Sequence, residues 1–468
     1  MVTTAAHPAR IQPPEHRLPT FRLLRAVIDN PVKAWPRVIY QERMFRSRIL
    51  GCDMIYVMAP DLIRRVLVDD AEDFEKGEMF RRALGPALGD AILTAEGSRW
   101  RWQRRAVASI FRQERIRSFL PAMIAAAERT RDRFRSHPPA AEIDIAREMM
   151  RTTFDIILST VVSGRRSIDC DLMEQSINQS LEPTSWIMAL AMVGAPGWVP
   201  YPGVRRARRA REHLHHALDA LIDDAKRNPG DGGDILSLLM NATDPETGTS
   251  MNEMDVRYNL LTFIAAGHET MAVVLTWTFY LLSLYPQVEE RVRREIAAAT
   301  GGGPVRAEHI EALAYTRQVI QEAMRLYPPA ALIVRAARRD LRLGDEEVRA
   351  GTAVFVPVYA IHRHEAYWRK PDEFDPSRFE ADAIEARDRY TYLPFGAGPR
   401  ICIGQSFAQW EATAVLATII SSCQLRLRPG YIPEPRLRVT LRPAAGMPMR
   451  IAGVCDFADT ASVGPLQT

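Results

Sequence analysis

One stretch constrains how the rest of this chain can fold. From Ser250, with Glu253 three residues on as a capping-box partner, the apolar pattern predicts a helix to about Tyr285. A helix this long and this apolar has to run through the middle of a molecule, with other elements packed around it. Its nearly apolar part, residues 271–285, is shorter than the ~20 residues that span a bilayer and reads as a buried helix. Ala266-Gly267-His268-Glu269-Thr270 stands in its middle. A glycine inside a helix costs roughly 1 kcal/mol against alanine, and a groove admitting a small molecule is one reason to keep it. Glu269 and Thr270 place an acid and a hydroxyl in otherwise apolar surroundings, whereas His268 reads as neither ligand nor base.

Helical patterning dominates to about residue 328, where Tyr327-Pro328-Pro329 stops a helix. A strand is expected over 54–58, followed by a helix opened by Pro60-Asp61. Short β-rich runs follow at 333–336, 341–343 and 353–358, with a turn at Gly344-Asp345, and a last helix begins near Cys402. Helices and strands do not alternate as a doubly wound sheet requires, so the fold class is mainly α with a small β region. The expected organisation is an irregular, proline-rich segment over 1–36 laid on the surface, one large domain over 37–455, and a tail over 456–468.

Several function classes are excluded. A net charge of +4 on 468 residues does not suggest nucleic-acid binding. The five cysteines are widely spaced without a CxxC pair, which argues against a disulfide framework or a zinc site and for a reducing compartment. The N-terminus carries prolines and charges where a signal peptide needs an apolar core, so no targeting signal or membrane anchor is expected. The glycine clusters at 229–234 and 301–304 lack the Lys-Ser/Thr ending of a phosphate loop.

The strongest chemical signal is Phe395-Gly396-Ala397-Gly398-Pro399-Arg400-Ile401-Cys402-Ile403-Gly404. A lone cysteine is usually a small buried side chain. Here three glycines allow the backbone to bend around the sulfur so that amide N–H groups can point at it. The helix that follows puts its positive end beside the sulfur, favouring a thiolate. Arg400 can pair with a carboxylate, and Phe395 can screen the sulfur from water.

This segment resembles the haem-binding loop of the cytochrome P450 family, Phe-x-x-Gly-x-Arg-x-Cys-x-Gly, at every defined position. Four further segments match in the expected order, between residues 97 and 404. The resemblance implies a soluble bacterial haem-thiolate monooxygenase, with the long helix crossing the distal face of haem b (iron protoporphyrin IX) and Cys402 as the axial iron ligand. It makes Glu269 and Thr270 a proton-delivery pair. It gives Trp100 and Arg104, four apart on one helical face, and Arg335 to the haem propionates, together with Arg400 as cofactor partner. Glu322, Arg325 and Arg378 take the places of a buried structural network, with Ser377 where an acid is usual. By family position, Phe80, Ala265, Ala266 and Val334 line a pocket for a hydrophobic small molecule.

The same resemblance implies dioxygen as co-substrate and a cytoplasmic monomer. The stretch after Cys402 is too short for a fused flavin or iron–sulfur domain, so a separate ferredoxin or flavodoxin with its reductase is expected. Arg101, Arg105, Arg112 and Arg115 offer that acidic partner a basic patch. Residues 186–202 are apolar and precede a basic helix, a pattern that suits a membrane surface or, by family position, a lid over substrate access. Two alternatives keep the fold. A peroxygenase, isomerase or dehydratase belongs to branches that tend to lose the acid–threonine pair present here. A non-catalytic haem-binding protein would consume no oxygen with any reductase.

Overall fold

A computed structural model of the chain describes residues 7–49, 51–162, 170–229 and 232–454. The tail expected over 456–468 lies outside the described residues, as do Gly230 and Asp231 of the 229–234 loop. The long helix spans Glu253–Leu284, and 83% of its most apolar window is buried inside the protein. Its capping box lies two residues beyond the expected Ser250 and Glu253. Asn252 Oδ1 accepts from the Asp255 N–H at 2.9 Å, and Asp255 Oδ2 accepts from the Asn252 N–H at 3.2 Å.

The helices that pack on this axis include Ile145–Val161, Val204–Arg227, Ala314–Leu326 and Gln405–Ile420. Gly267 owes its place to one of them. A Cβ there would sit 2.6 Å from Ile157 Cδ1, so the glycine lets two helices approach closely. One residue on, Thr153 Oγ1 donates to the His268 carbonyl at 2.9 Å across the same contact.

The β portion gathers at one side, in a five-stranded mixed sheet ordered Met44–Ile49, Cys52–Val57, Ala353–Val356, Ile333–Ala337 and Phe74–Glu75. Only Cys52–Val57 and Ala353–Val356 run parallel. A C-terminal hairpin, Pro435–Leu437 with Leu441–Pro443, lies along the central helix, because Trp277 Nε1 donates to the Leu441 carbonyl at 2.8 Å. The mainly α fold with a small β region is as expected.

The N-terminal segment is more ordered than its prolines suggest. Thr20–Asp29 is a helix that buries Leu23 and Val27. Upstream, the Ala9 N–H donates to Tyr280 Oη at 3.0 Å, Tyr327 Oη donates to the Ala9 carbonyl at 2.7 Å, and the Ile11 N–H donates to Tyr359 Oη at 3.2 Å. Ile11 is buried, so the segment is part of the core boundary and not an overlay. The apolar stretch from 186 forms most of a helix, Thr184–Met192, and a connection in which Trp198 is 82% exposed.

Glu322, Arg325 and Arg378 meet in the structure. Arg325 Nε and Nη2 donate to the two Glu322 oxygens at 2.6 and 2.7 Å, and neither side chain is exposed. Arg378 Nε lies 3.5 Å from Glu322, and the Asp375 N–H donates to the same carboxylate at 2.9 Å. The remaining Arg325 N–H groups reach the carbonyls of His362, Pro371 and Glu373. Ser377 caps back onto Asp375 and does not substitute for an acid. Glu322→Ala leaves the buried guanidinium of Arg325 and the half-buried one of Arg378 without their carboxylate; a loss of about 3–5 kcal/mol in unfolding free energy is expected by urea denaturation.

Candidate active site

The loop before Cys402 folds back on itself, with the Cys402 N–H donating to the Phe395 carbonyl at 2.9 Å. Gly396 and Gly398 have φ of 74° and 70°, the left-handed region that favours glycine. At Gly398 space also decides: a Cβ would lie 1.8 Å from the Leu67 carbonyl oxygen, on the short helical turn Arg65–Asp69. Gly404 differs from the expectation. Its φ of −86° is open to any residue, and its contribution is an N–H directed at the Cys402 sulfur.

Burial pushes the Cys402 thiol up, against the Gly404 N–H and the positive charge of Arg104. Desolvation therefore outweighs the helix end that favours a thiolate, and a bound metal cation is what would ionise the sulfur outright. Cys402 is enclosed by protein yet exposed at its side chain, so it stands at the wall of an interior hollow. Ala266 is likewise exposed, in a stretch of the central helix that is otherwise buried or half-buried. Phe111 links the two regions: its ring packs edge-on to Phe263 at 5.4 Å and lies 4.0 Å from where a Gly404 Cβ would be.

Around the hollow the protein gathers cations. Trp100 and Arg104 come from the helix Gly97–Ala108, and the guanidinium of Arg400 lies 4.0 Å over the Trp100 ring. Arg400 Nη2 donates to Glu96 at 2.6 Å and Nη1 to the Ala95 carbonyl at 2.7 Å. Burial lowers the Arg400 pKa to about 10, with Arg335, Arg338 and Arg104 adding to the fall and Glu96 opposing it. Arg335 Nη1 meets only the carbonyl of its neighbour Val334 among the described residues, at 2.9 Å. Arg104 has no hydrogen bond or ion pair among the described residues.

Two members of this cluster carry no sequence signal. Lys76 is buried, its ammonium donates to the Leu93 carbonyl, and it lies 4.7 Å over the Phe80 ring. Burial, then Arg400 and Arg335, hold its pKa well below the ordinary lysine range. Glu96 stands just before the Trp100 helix, where an acid reads as an ordinary cap. It accepts from Arg400, from the Lys76 N–H at 3.0 Å, and from Arg338 at 3.4 Å. Lys76, Arg104, Arg335 and Arg400 thus outnumber this carboxylate in a poorly solvated space, a donor set that suits a ligand bearing anionic groups.

Glu269 and Thr270 are neighbours in sequence but turn apart. Thr270 Oγ1 donates to the Ala266 carbonyl at 2.7 Å, and Glu269 Oε1 accepts from Thr440 Oγ1 at 2.6 Å. His268 is fully buried with Nδ1 on the Ile264 carbonyl and its ring edge-on to Phe154. Phe80, Ala265 and Val334 are half-buried and Ala266 is exposed. Of the expected docking patch, Arg112 and Arg115 are exposed and Arg101 pairs with Glu72. Arg105 does not belong to it, because both its Nε and Nη2 bind the buried Asp244 at 2.8 Å.

A family model for cytochrome P450 matches residues 17–447. A cyclooctatin synthase of Streptomyces melanosporofaciens is 32% identical over 85% of this chain and 87% of its own length. The cyclooctat-9-en-7-ol 5-monooxygenase of the same organism is 33% identical over 81% and 82%. A cytokinin hydroxylase of Arabidopsis thaliana is 31% identical over 77% and 71%. The crystal structure of the cytochrome P450DA haem domain superposes with a TM-score of 0.82 and 25% identity, over 96% of this chain and 99% of that one. Gly398→Ala combines a backbone clash with a left-handed φ and is expected to destabilise the fold by at least about 2 kcal/mol, measured by thermal and urea unfolding.

Proposed function

Because this chain belongs to the cytochrome P450 family, we propose that Cys402 supplies the thiolate to its haem iron. The enzyme is a haem monooxygenase that inserts one atom of dioxygen into an organic substrate. The bound haem, ligated by a thiolate that donates electron density, supplies the oxygen-activating chemistry. The observation that carries the cofactor assignment is the pairing of an enclosed thiol facing a hollow with a surplus of cations around it. Haem b meets both needs, with an iron for Cys402 and two propionates for Trp100, Arg104, Arg335 and Arg400. Lys76, unrecognised from the sequence, joins that set.

The protein's own groups then have distinct tasks. Phe395 and the apolar middle of the central helix exclude water from the sulfur and the reacting face. Glu269 and Thr270 pass protons toward that face, and the alternative chemistries without oxygen activation have no use for such a pair. Phe80, Ala265, Ala266 and Val334 receive a hydrophobic substrate, most suitably an apolar alcohol of the kind named for the Streptomyces monooxygenase. Residues 37–455 form one haem domain, with the N-terminal segment as its strap. The enzyme works as a monomer in a bacterial cytoplasm, and a separate ferredoxin or flavodoxin docks at Arg101, Arg112 and Arg115.

Cys402→Ser is expected to lose the thiolate absorption signature of the ferrous carbon monoxide complex. Thr270→Ala is expected to keep that signature and to raise the ratio of peroxide to product by about tenfold. Tight coupling in that variant counts against the relay. Spectral titration of the ferric protein with fatty acids, terpenoids, steroids and aromatic compounds identifies the substrate class. Arg112→Glu with Arg115→Glu is expected to slow reduction by an acidic partner and weaken its dependence on ionic strength; an unchanged salt profile overturns the docking site.

A further inference from the structure

A second recess opens between three elements, and none of the residues gathered around Cys402 lines it. The helix Ile145–Val161 presents Arg147 and Arg151, four apart on one face. The C-terminal hairpin, Pro435–Leu437 with Leu441–Pro443, presents Arg436, Arg438 and Arg442. Arg436 and Arg438 alternate with the buried Leu437, and Arg442 stands directly opposite Arg436 in the register. The three arginines therefore share the face that Leu437 and Leu441 do not. The third wall is the helix Cys170–Leu181, whose Gln175, Asn178 and Gln179 recur at the spacing of one helical face.

Like charges repel when they stand directly opposite in a hairpin or four apart on a helix, and both arrangements occur here. Little offsets them. Arg147, Arg151 and Arg438 have no ion pair or side-chain hydrogen bond among the described residues. Arg442 lies 3.5 Å from Glu269, and Arg436 lies 3.6 Å from Asp29 and 3.8 Å from Glu434. The Nε of Arg436 is buried and has no hydrogen-bond partner among the described residues. On the arginine-bearing helix and its approach the acids are already engaged. Asp144 Oδ1 accepts from the Ala146 and Met447 N–H groups, Glu148 is held by Arg133 at 2.9 Å, and Asp155 lies 3.9 Å from Arg129. The other acids of the recess, Glu174 and Glu182, stand on and just beyond the third wall.

We propose that this recess binds a soluble phosphorylated metabolite with two linked phosphates and a hydroxylated body, of the nucleoside diphosphate class. Cations on two separate walls suit an anion with more than one charged centre. The planar guanidinium fork matches phosphate oxygens two at a time. An anion between the walls screens both sets of like charges at once, so repulsion among the arginines turns into affinity for the ligand. Amide side chains donate and accept, which fits the hydroxyl groups of a sugar. A hydrocarbon finds few partners on these walls, so this ligand is distinct from the substrate that is oxidised.

The test titrates the haem-loaded, full-length enzyme by calorimetry at low ionic strength with adenosine diphosphate, inorganic pyrophosphate and adenosine. Adenosine diphosphate and pyrophosphate are each expected to bind once per chain, and adenosine to bind at least about tenfold more weakly. Arg151→Gln with Arg438→Gln is expected to weaken adenosine diphosphate by about tenfold, with the haem spectrum and thermal midpoint unchanged. Arg147→Gln, a change at an exposed side chain, is expected to weaken it in the same direction. Arg112→Glu with Arg115→Glu is expected to leave the affinity as it is. Amide hydrogen exchange is expected to slow in Cys170–Leu181 and in the hairpin when adenosine diphosphate is added. Absence of binding, or equal binding of adenosine, overturns the site. So does wild-type affinity in the Arg147 and Arg151/Arg438 variants, and so does an equal loss in the Arg112/Arg115 variant, which marks diffuse surface charge. Vesicles of phosphatidylcholine with cardiolipin form the last arm. Their capture of the enzyme through Arg151 and Arg438, without binding of adenosine diphosphate, assigns the recess to a lipid headgroup and overturns the soluble ligand.

Discussion

Glu322 and Arg325 carry opposite charges in a place that no water reaches, and their partners extend to the sulfur loop. The guanidinium is fully engaged, by both carboxylate oxygens and by the carbonyls of His362, Pro371 and Glu373. His362 carries the order further. Burial and the neighbouring Arg325 hold its pKa well below the ordinary range, so the ring is neutral. Its Nδ1 faces the Arg325 carbonyl and its Nε2 accepts the Leu393 N–H at 2.8 Å, two residues before Phe395. A charge pair on one helix thus fixes the backbone that enters the Cys402 loop. Such a pair adds little stability over well-packed apolar residues, but it enforces one arrangement, because any other strands a charge.

The cation cluster works by the opposite logic. Burial lowers the pKa of Lys76, Arg335 and Arg400, the two arginines add to the fall at Lys76 and Arg335 adds to it at Arg400, while Glu96 opposes it in all three. Strain of this kind in the protein alone is relieved when an anionic ligand arrives, so it biases the hollow toward such a ligand. Both designs reach the sulfur loop, one through His362 and Leu393 and the other through Arg400. One is electrostatically closed and rigid, and the other is left open for a partner.

What the sequence reveals follows from how local each cause is. The loop from Phe395 to Gly404 is readable because its glycines, arginine and cysteine act on one another within ten residues. Glu322 and Arg325 are readable as an (i, i+3) pair, though their burial is not. Gly267 is visible as an anomaly, yet its neighbour Ile157 lies on another helix, which the sequence does not show. Lys76, Glu96, Thr440 and Arg442 are ordinary polar residues in surface-like contexts, and only the fold brings them to the hollow and to Glu269. Arg105 shows the converse, a basic residue on a basic helix that tertiary structure removes from the surface by pairing it with Asp244. The helix Thr20–Asp29 is hidden by the prolines on either side of it.

The strap at Ala9 and Ile11 has a consequence for the order of assembly. Its three tyrosine partners lie 271, 318 and 348 residues further along the chain. Closing loops of that length is entropically costly and worthwhile only once the far ends are already in place. Tyr280, Tyr327 and Tyr359 stand at the ends of the central helix, of the Glu322 helix and near the sheet, so their convergence reports that all three have come together. A segment synthesised early must therefore wait, unattached, until nearly four-fifths of the chain has emerged, and its docking acts as a latch that only the assembled core can accept.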